Sequence, residues 1–339
     1  MKAAIRTGWT GLTLSFSSNH PAPAPSTLES EQVIVNVKAA AINPVDYKIP
    51  FKMLGPVYGL DFSGTIESVG SSASSKFQIG DEVFGKCKGS LAEKSICNIK
   101  EICHKPDFLS FEEAAALPVA YLTGIQGLRD NGGIDLSAKS EDDEKSKSLS
   151  VLVIGASGGC GTAALQLMKG MNRSSPSPDL KVSRIVAICS KKNFDFVTEN
   201  GATEVINYTN EDQLQSFFQE NKGQFDCVYD CSTGSGGKAD SYFEVSQPIV
   251  KPQTGRYVAL NGSPQFWTKR FLGKLKDHQR LIMTSTNTAD LSSVCDFLKI
   301  ADAKPSLSVK PFTEDGVKEG FQLLKSRRAK GKIVFSVSS

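Results

Sequence analysis

Residues 151–161 read VLVIGASGGCG and run straight into TAALQLMK. Four aliphatic residues make a buried strand, Ala156-x-Gly158-x-x-Gly161 makes a tight turn, and an alanine- and leucine-rich helix begins. Strand, glycine turn and helix in that order form a dinucleotide-binding fingerprint. The glycines let the backbone approach a pyrophosphate, and the first N–H groups of the helix hold its charge. Ser157, Gly158, Gly159, Cys160 and Gly161 are therefore the expected pyrophosphate contacts. The fingerprint starts near position 150, so another unit precedes it.

A chain of 339 residues fits two domains. Residues 1–120 read as β-rich, with strands at 31–42, 64–70 and 81–85 cut by Gly, Pro and Ser turns. Val33, Val35 and Val37 alternate with polar residues, as a half-buried strand should. Residues 110–129 read as helical, with Ser110 as N-cap and Glu112 and Glu113 in the first turn. From 151 the pattern changes to α/β alternation, with strands at 151–155, 184–189, 225–229, 256–260 and 280–284. A strand, a helix and a last strand follow residue 300. The expected fold is α/β: a Rossmann-type, doubly wound parallel sheet plus a split β-rich domain completed by the tail. Its boundaries are 1–122 with 302–339 for the split domain and 123–301 for the dinucleotide domain. The polar stretch 137–148 reads as a solvated insertion, with a docking loop as the alternative, and 171–180 reads as a loop.

Composition narrows the function. A net charge of +3 argues against a nucleic-acid binder. Eight cysteines without paired spacing suit reduced thiols. No apolar run reaches the ~18–20 residues of a membrane span, and the N-terminal residues lack a signal-peptide core. The default compartment is the cytoplasm, with organelle entry left open.

Seven marks stand in order: AAINPVDYK (40–48), GLDFSGTIESVG (59–70), GDEVFG (80–85), AAALPVAYLTGIQGL (114–128), GASGGCG (155–161), GATEVINY (201–208) and RAKGKIVF (328–335). Together they resemble the zinc-free quinone oxidoreductase branch of the medium-chain dehydrogenase/reductase superfamily. The resemblance runs nearly end to end and implies a GroES-like front domain. It also implies a cofactor cleft between the two domains. Zinc-dependent members carry a Cys ligand where Asn43 stands and Gly-His-Glu where Gly59-Leu60-Asp61 stands. With only three histidines, His20, His104 and His278, no metal is expected.

The second Rossmann strand ends in Cys189-Ser190-Lys191-Lys192-Asn193. NAD enzymes usually carry a carboxylate there for the ribose hydroxyls, whereas a hydroxyl and two ammonium groups attract a 2′-phosphate. Ser190, Lys191 and Asn193 are thus expected at an NADPH phosphate, and the resemblance adds Tyr208. It also places Thr123, Cys231, Leu260 and Asn261 at the cofactor, and the loop of Asn43, Asp46 and Lys48 at the nicotinamide. A donor at the carbonyl oxygen stabilises the enolate formed by hydride addition to an enone. Asn43 and Lys48 are suitable donors, and Tyr47 or Tyr58 a lining residue or proton source. Lys332 reads either as reaching the cleft or as a surface lysine.

These features imply an NADPH-dependent, zinc-independent reductase whose small-molecule substrate is a quinone or an α,β-unsaturated carbonyl. Two other readings fit the same residues: an NADPH-binding sensor or structural protein with little turnover, and an enoyl-thioester reductase. Monomer and homodimer both remain open. The stretch 264–276 (PQFWTKRFLGKLK) reads first as an amphipathic helix packed on the sheet, then as a pocket lid, then as a peripheral membrane contact.

Overall fold

The structure is a computed structural model that describes residues 1–8, 12–49, 51–136, 148–177, 180–232 and 242–337. Residues 137–147 of the polar stretch and residues 178–179 of the 171–180 loop lie outside the described residues. The chain divides into two compact units. The first holds Met1–Leu122, Ser285–Cys295 and Lys304–Ser339, and the second Thr123–Thr284 and Asp296–Ala303.

In chain order the strands are β1 (Ala3–Thr7), β2 (Thr13–Ser17), β3 (Gln32–Ile42), β4 (Asp61–Val69), β5 (Glu82–Lys86), β6 (Lys94–Asn98) and β7 (Ile102–His104). Then come β8 (Ser148–Ile154), β9 (Lys181–Cys189), β10 (Glu204–Asn207), β11 (Cys227–Asp230), β12 (Arg256–Ala259) and β13 (Gln279–Leu281). The tail adds β14 (Leu307–Pro311) and β15 (Lys332–Ser336).

In the first unit the sheet order is β14-β15-β3-β4-β5-β7, with β6 also paired to β3. Val33, Val35 and Val37 point into a core with Phe62, Ile66 and Phe335. The β3–β4 register shifts between Val37 and Ala39, and past this bulge the even-numbered Ala40 and Ile42 continue in the same core. Ala39 and Ala41 turn to the opposite face, where they pack with Ala115 and Ala116 and let the helix Phe111–Ala115 come close. Ser110 caps that helix as its sequence predicts. Its hydroxyl accepts from the Glu113 N–H at 3.2 Å, and the Glu113 carboxylate accepts from the Ser110 N–H at 2.8 Å.

One segment departs from the sequence-based boundaries. Ser285–Cys295 belongs to the first unit. The Thr286 hydroxyl donates to Glu101 at 3.3 Å, and the Cys103 thiol donates to the Thr288 carbonyl at 3.5 Å.

In the second unit six parallel strands run in the order β10-β9-β8-β11-β12-β13. This is the doubly wound order, and β8 sits where the strand order reverses, the place at which such sheets bind ligands. Leu152, Ile154, Val186, Ile188, Val228 and Tyr257 fill its core. Strand β10 escapes the sequence-based strand assignments because it is a short edge strand with no fully buried residue, so it carries no apolar run. Phe266, at the start of the helix Pro264–Phe271, packs into this core, and Trp267 stacks on Phe271, which is 72% exposed. No helix among the described residues is long and apolar enough to cross a membrane.

Candidate active site

Three strand ends meet in the first unit. Asn43 follows β3, Asp61 opens β4 and Lys332 opens β15. The antiparallel registers Ala41↔Asp61 and Ile42↔Ile333 set them side by side. The Lys332 ammonium donates to Asn43 Oδ1 at 2.5 Å, to Asp61 Oδ2 at 3.0 Å and to the Ile42 carbonyl at 3.2 Å. Asn43 Nδ2 donates to Asp61 Oδ2 at 2.8 Å, and the Val119 N–H donates to Asp61 Oδ1 at 2.9 Å. Asp61 is 0%, Asn43 4% and Lys332 5% exposed. Charges this deep persist only when paired and hydrogen-bonded.

A second buried acid lies next to this group. Asp46 Oδ2 accepts from the Asn43 backbone N–H at 2.7 Å, while its Oδ1 is buried without a hydrogen-bond partner. Burial pushes the Asp46 carboxyl up to about 7; the negative charge of Asp61 adds to the rise, and the Asn43 N–H, Lys332 and Arg6 oppose it. The Arg6 guanidinium lies 3.9 Å from the centroid of the Tyr58 ring, and burial pushes the Tyr58 phenol up.

The second unit supplies a different kind of surface. Gly155 turns the chain at φ +75°, which favours glycine. A Cβ on Gly161 would lie 2.4 Å from the Gly155 carbonyl oxygen, so the helix Gly159–Ser174 packs against the turn only with glycine there. A Cβ on Gly158 would meet nothing closer than that same oxygen at 3.5 Å, so this side of the turn is open. A helix start leaves its first N–H groups without intrahelical partners.

Asn193 stands beside the turn, buried, and its Nδ2 donates to Ser157 Oγ at 3.0 Å and to Ser190 Oγ at 3.2 Å. Each serine hydroxyl therefore accepts from Asn193 and keeps its own hydrogen to donate. Asn193 Oδ1 is buried with no partner. Backbone donors and two oriented hydroxyls fit a dinucleotide pyrophosphate, which only accepts, whereas the orphaned amide oxygen of Asn193 fits a donor such as a ribose hydroxyl. Lys191 and Lys192 are exposed, and the Lys191 N–H donates to Asn207 Oδ1 at 3.2 Å. Tyr208, just past β10, is 47% exposed.

Residues 29–125 match the alcohol dehydrogenase GroES-like domain, and residues 200–335 match the zinc-binding dehydrogenase family. The 2-methylene-furan-3-one reductase of Solanum lycopersicum is 32% identical over 95% of this chain and 75% of its own length. The chain belongs to the medium-chain dehydrogenase/reductase superfamily. A second superfamily relative, the chloroplast envelope quinone oxidoreductase homologue of Arabidopsis thaliana, is 30% identical over 73% of this chain and 71% of its own. The solved quinone oxidoreductase of Coxiella burnetii shares the fold at a TM-score of 0.75 and 24% identity, covering 100% of this chain and 99% of its own. The superfamily's nicotinamide cofactor is the dinucleotide that the glycine turn fits.

Zinc, which one superfamily description names, does not fit this chain's residues. Asn43 and Leu60 offer neither thiolate nor imidazole, and the Lys332 ammonium already stands against Asn43 and Asp61, where it would repel a second cation. Among the described residues no three His, Cys, Asp or Glu side chains gather as a metal site.

The remaining sequence-based candidates fall as follows. Lys48 is exposed, and the ammonium lying against Asn43 is that of Lys332. Tyr47 is half-buried against the core, with the Lys325 ammonium 5.7 Å from its ring centroid. Thr123 shares a 2.8 Å hydrogen bond with Thr284. Cys160 and Cys231 are partly exposed, and burial raises the Cys231 thiol well above its ordinary range. Leu260 is half-buried, and Asn261 Oδ1 accepts from the Trp267 indole N–H at 3.1 Å. Sequence reasoning missed the link between Asp61 and Lys332. Its only trace was that each sits in a superfamily mark, at GLDFSG and at GKIVF.

Proposed function

We propose that this chain is a zinc-independent reductase that uses NADPH to reduce quinones or α,β-unsaturated carbonyls. The observation that carries the reading is Asn43. It is a neutral amide donor held rigidly in a buried network, where an alcohol dehydrogenase would hold a metal ligand. Reduction of an enone needs a hydride at the β-carbon, a hydrogen-bond donor at the oxygen that becomes an enolate, and a proton at the α-carbon. The nicotinamide, when bound, supplies the hydride. Asn43 Nδ2 supplies the donor, with Lys48 assigned as a second donor and Tyr47 as the proton source. The tomato relative's name describes a substrate of this kind, a methylene group conjugated to a ring ketone.

Three features support NADPH over NADH. The end of β9 carries no carboxylate, the Ser190 hydroxyl is oriented by Asn193, and Lys191 and Lys192 are exposed beside it. A 2′-phosphate gains charge-assisted hydrogen bonds from such a set, whereas a carboxylate would repel it. Gly158, Gly159, Cys160 and Gly161 are assigned to the pyrophosphate, and Tyr208 to the 2′-phosphate. Thr123, Cys231, Leu260 and Asn261 are assigned to the nicotinamide half.

The test is NADPH oxidation with a panel of enones, alkenals and quinones, and with saturated ketones as controls. Turnover is expected with conjugated acceptors alone. No turnover above background with any conjugated acceptor, despite tight NADPH binding, would overturn the reductase reading in favour of a binding protein.

A further inference from the structure

We infer that Lys332 and Asp61 are positioning residues that set which way round the Asn43 amide sits, so that one defined N–H is left for the substrate oxygen. This rests on the assignment of Asn43 as the donor. A lysine ammonium has three N–H donors and no lone pair, while an ionised carboxylate only accepts. Lys332 has three acceptors around it: the Ile42 carbonyl, Asn43 Oδ1 and Asp61 Oδ2. Its donors are all engaged within the chain, so Lys332 acts through Asn43 and not on a substrate directly.

Asp61 is filled in the same way, by the Val119 N–H on Oδ1 and by Asn43 and Lys332 on Oδ2. An amide between a pure donor and a pure acceptor has one favourable orientation. Reversed, it would face N–H against ammonium and oxygen against carboxylate, in a site only 4% exposed at Asn43. In the favoured sense Nδ2 donates one N–H to Asp61 and keeps a second. Reversed, the group would present an oxygen to a developing enolate and repel it. The buried pair, 271 positions apart in the chain, converges on one amide.

Three variants test the role: Lys332→Gln, the double Lys332→Gln/Asp61→Asn, and Asn43→Asp. Each is assayed for kcat, enone KM, NADPH dissociation constant and melting temperature. Lys332→Gln leaves Asp61 buried and uncompensated, and loses both melting temperature and kcat. The double variant removes the lone charge but also removes the pure donor and pure acceptor. Its melting temperature returns toward wild type, while kcat stays down by about 100-fold with NADPH affinity unchanged.

A kcat that recovers together with the melting temperature would show a purely structural pair and overturn the inference. So would NADPH affinity falling as steeply as kcat. Asn43→Asp keeps an acceptor for Lys332 but has no N–H, and kcat falls by about 100-fold. If Asn43→Asp keeps its kcat, the donor assignment itself fails and the positioning role with it. If Asn43→Asp is inactive and the double variant active, the positioning role alone fails.

Discussion

The two units hold their polar groups in opposite ways. In the first, Asn43, Asp61 and Lys332 are dry, and each donor of Lys332 meets an acceptor of the chain. In the second, Ser157 and Ser190 are oriented by Asn193 but keep their hydrogens, a Cβ at Gly158 would meet only the Gly155 carbonyl oxygen at 3.5 Å, and Lys191 and Lys192 reach into solvent. The first arrangement suits a donor that must not move while charge develops, because a preorganised group in a dry site does no reorganisation during the reaction. The second suits a ligand that binds and leaves. Its donors are aimed and still available, and its charges are hydrated and screened. Removing a group should therefore have unlike consequences in the two places: collapse of a matched set in one, a graded loss of affinity in the other.

The largest effect is expected from Lys332→Met, which strands the Asp61 carboxylate. Chemical denaturation should show a loss of about 3–5 kcal/mol. A loss below about 1 kcal/mol would place this pair with ordinary surface ion pairs and erase the contrast.

Next comes the acid that the first unit buries without a full set of partners. The folded-state pKa of Asp46, about 7, lies above the unfolded value of about 3.9. The native state therefore holds a proton that the unfolded chain releases. The resulting stabilisation is complete below the unfolded value and is lost as pH rises toward 7, by a total on the order of 4 kcal/mol. Asp46→Asn, which mimics the protonated acid, should lack this component of the pH slope. Urea midpoints measured across this range that run parallel in the two proteins would show Asp46 ionised in the fold.

In the second unit, Lys191→Glu/Lys192→Glu should weaken NADPH binding by at least about tenfold more than NADH binding, measured by fluorescence titration. Equal weakening of both would remove the phosphate assignment. The smallest effect belongs to Ser157→Ala, which deletes one oriented hydroxyl. Cofactor affinity should fall about fivefold, with the melting temperature unmoved. A large drop in stability from this change would mean that the rim of the turn is a matched set like the Lys332 cluster.

The same contrast separates what was legible in the chain from what was not. The glycine turn is seven consecutive residues, and two of its glycines meet local demands: Gly161 packs on Gly155 and Ala156, and Gly155 takes a positive φ. The Ser110 cap is equally local, since its partner lies three residues on. Strand β10 hid because an edge strand buries little, so no apolar pattern marks it. Lys48 is singled out by the family resemblance; it is exposed, and the ammonium against Asn43 comes from Lys332 at the far end of the chain.

From sequence alone came the dinucleotide turn and the alternation of elements that makes a doubly wound sheet, while the comparison of Asn43 and Leu60 with zinc ligands came from the family resemblance. The turn and the alternation depend on residue type at short spacing, where backbone sterics and helix geometry act within a few positions. Tertiary structure alone decided which cation meets Asn43, how Asp61 is neutralised, and that Asp46 is buried beside them. Those outcomes depend on strand register: β4 and β15 run antiparallel to β3, and only that pairing brings positions 43, 61 and 332 to one place.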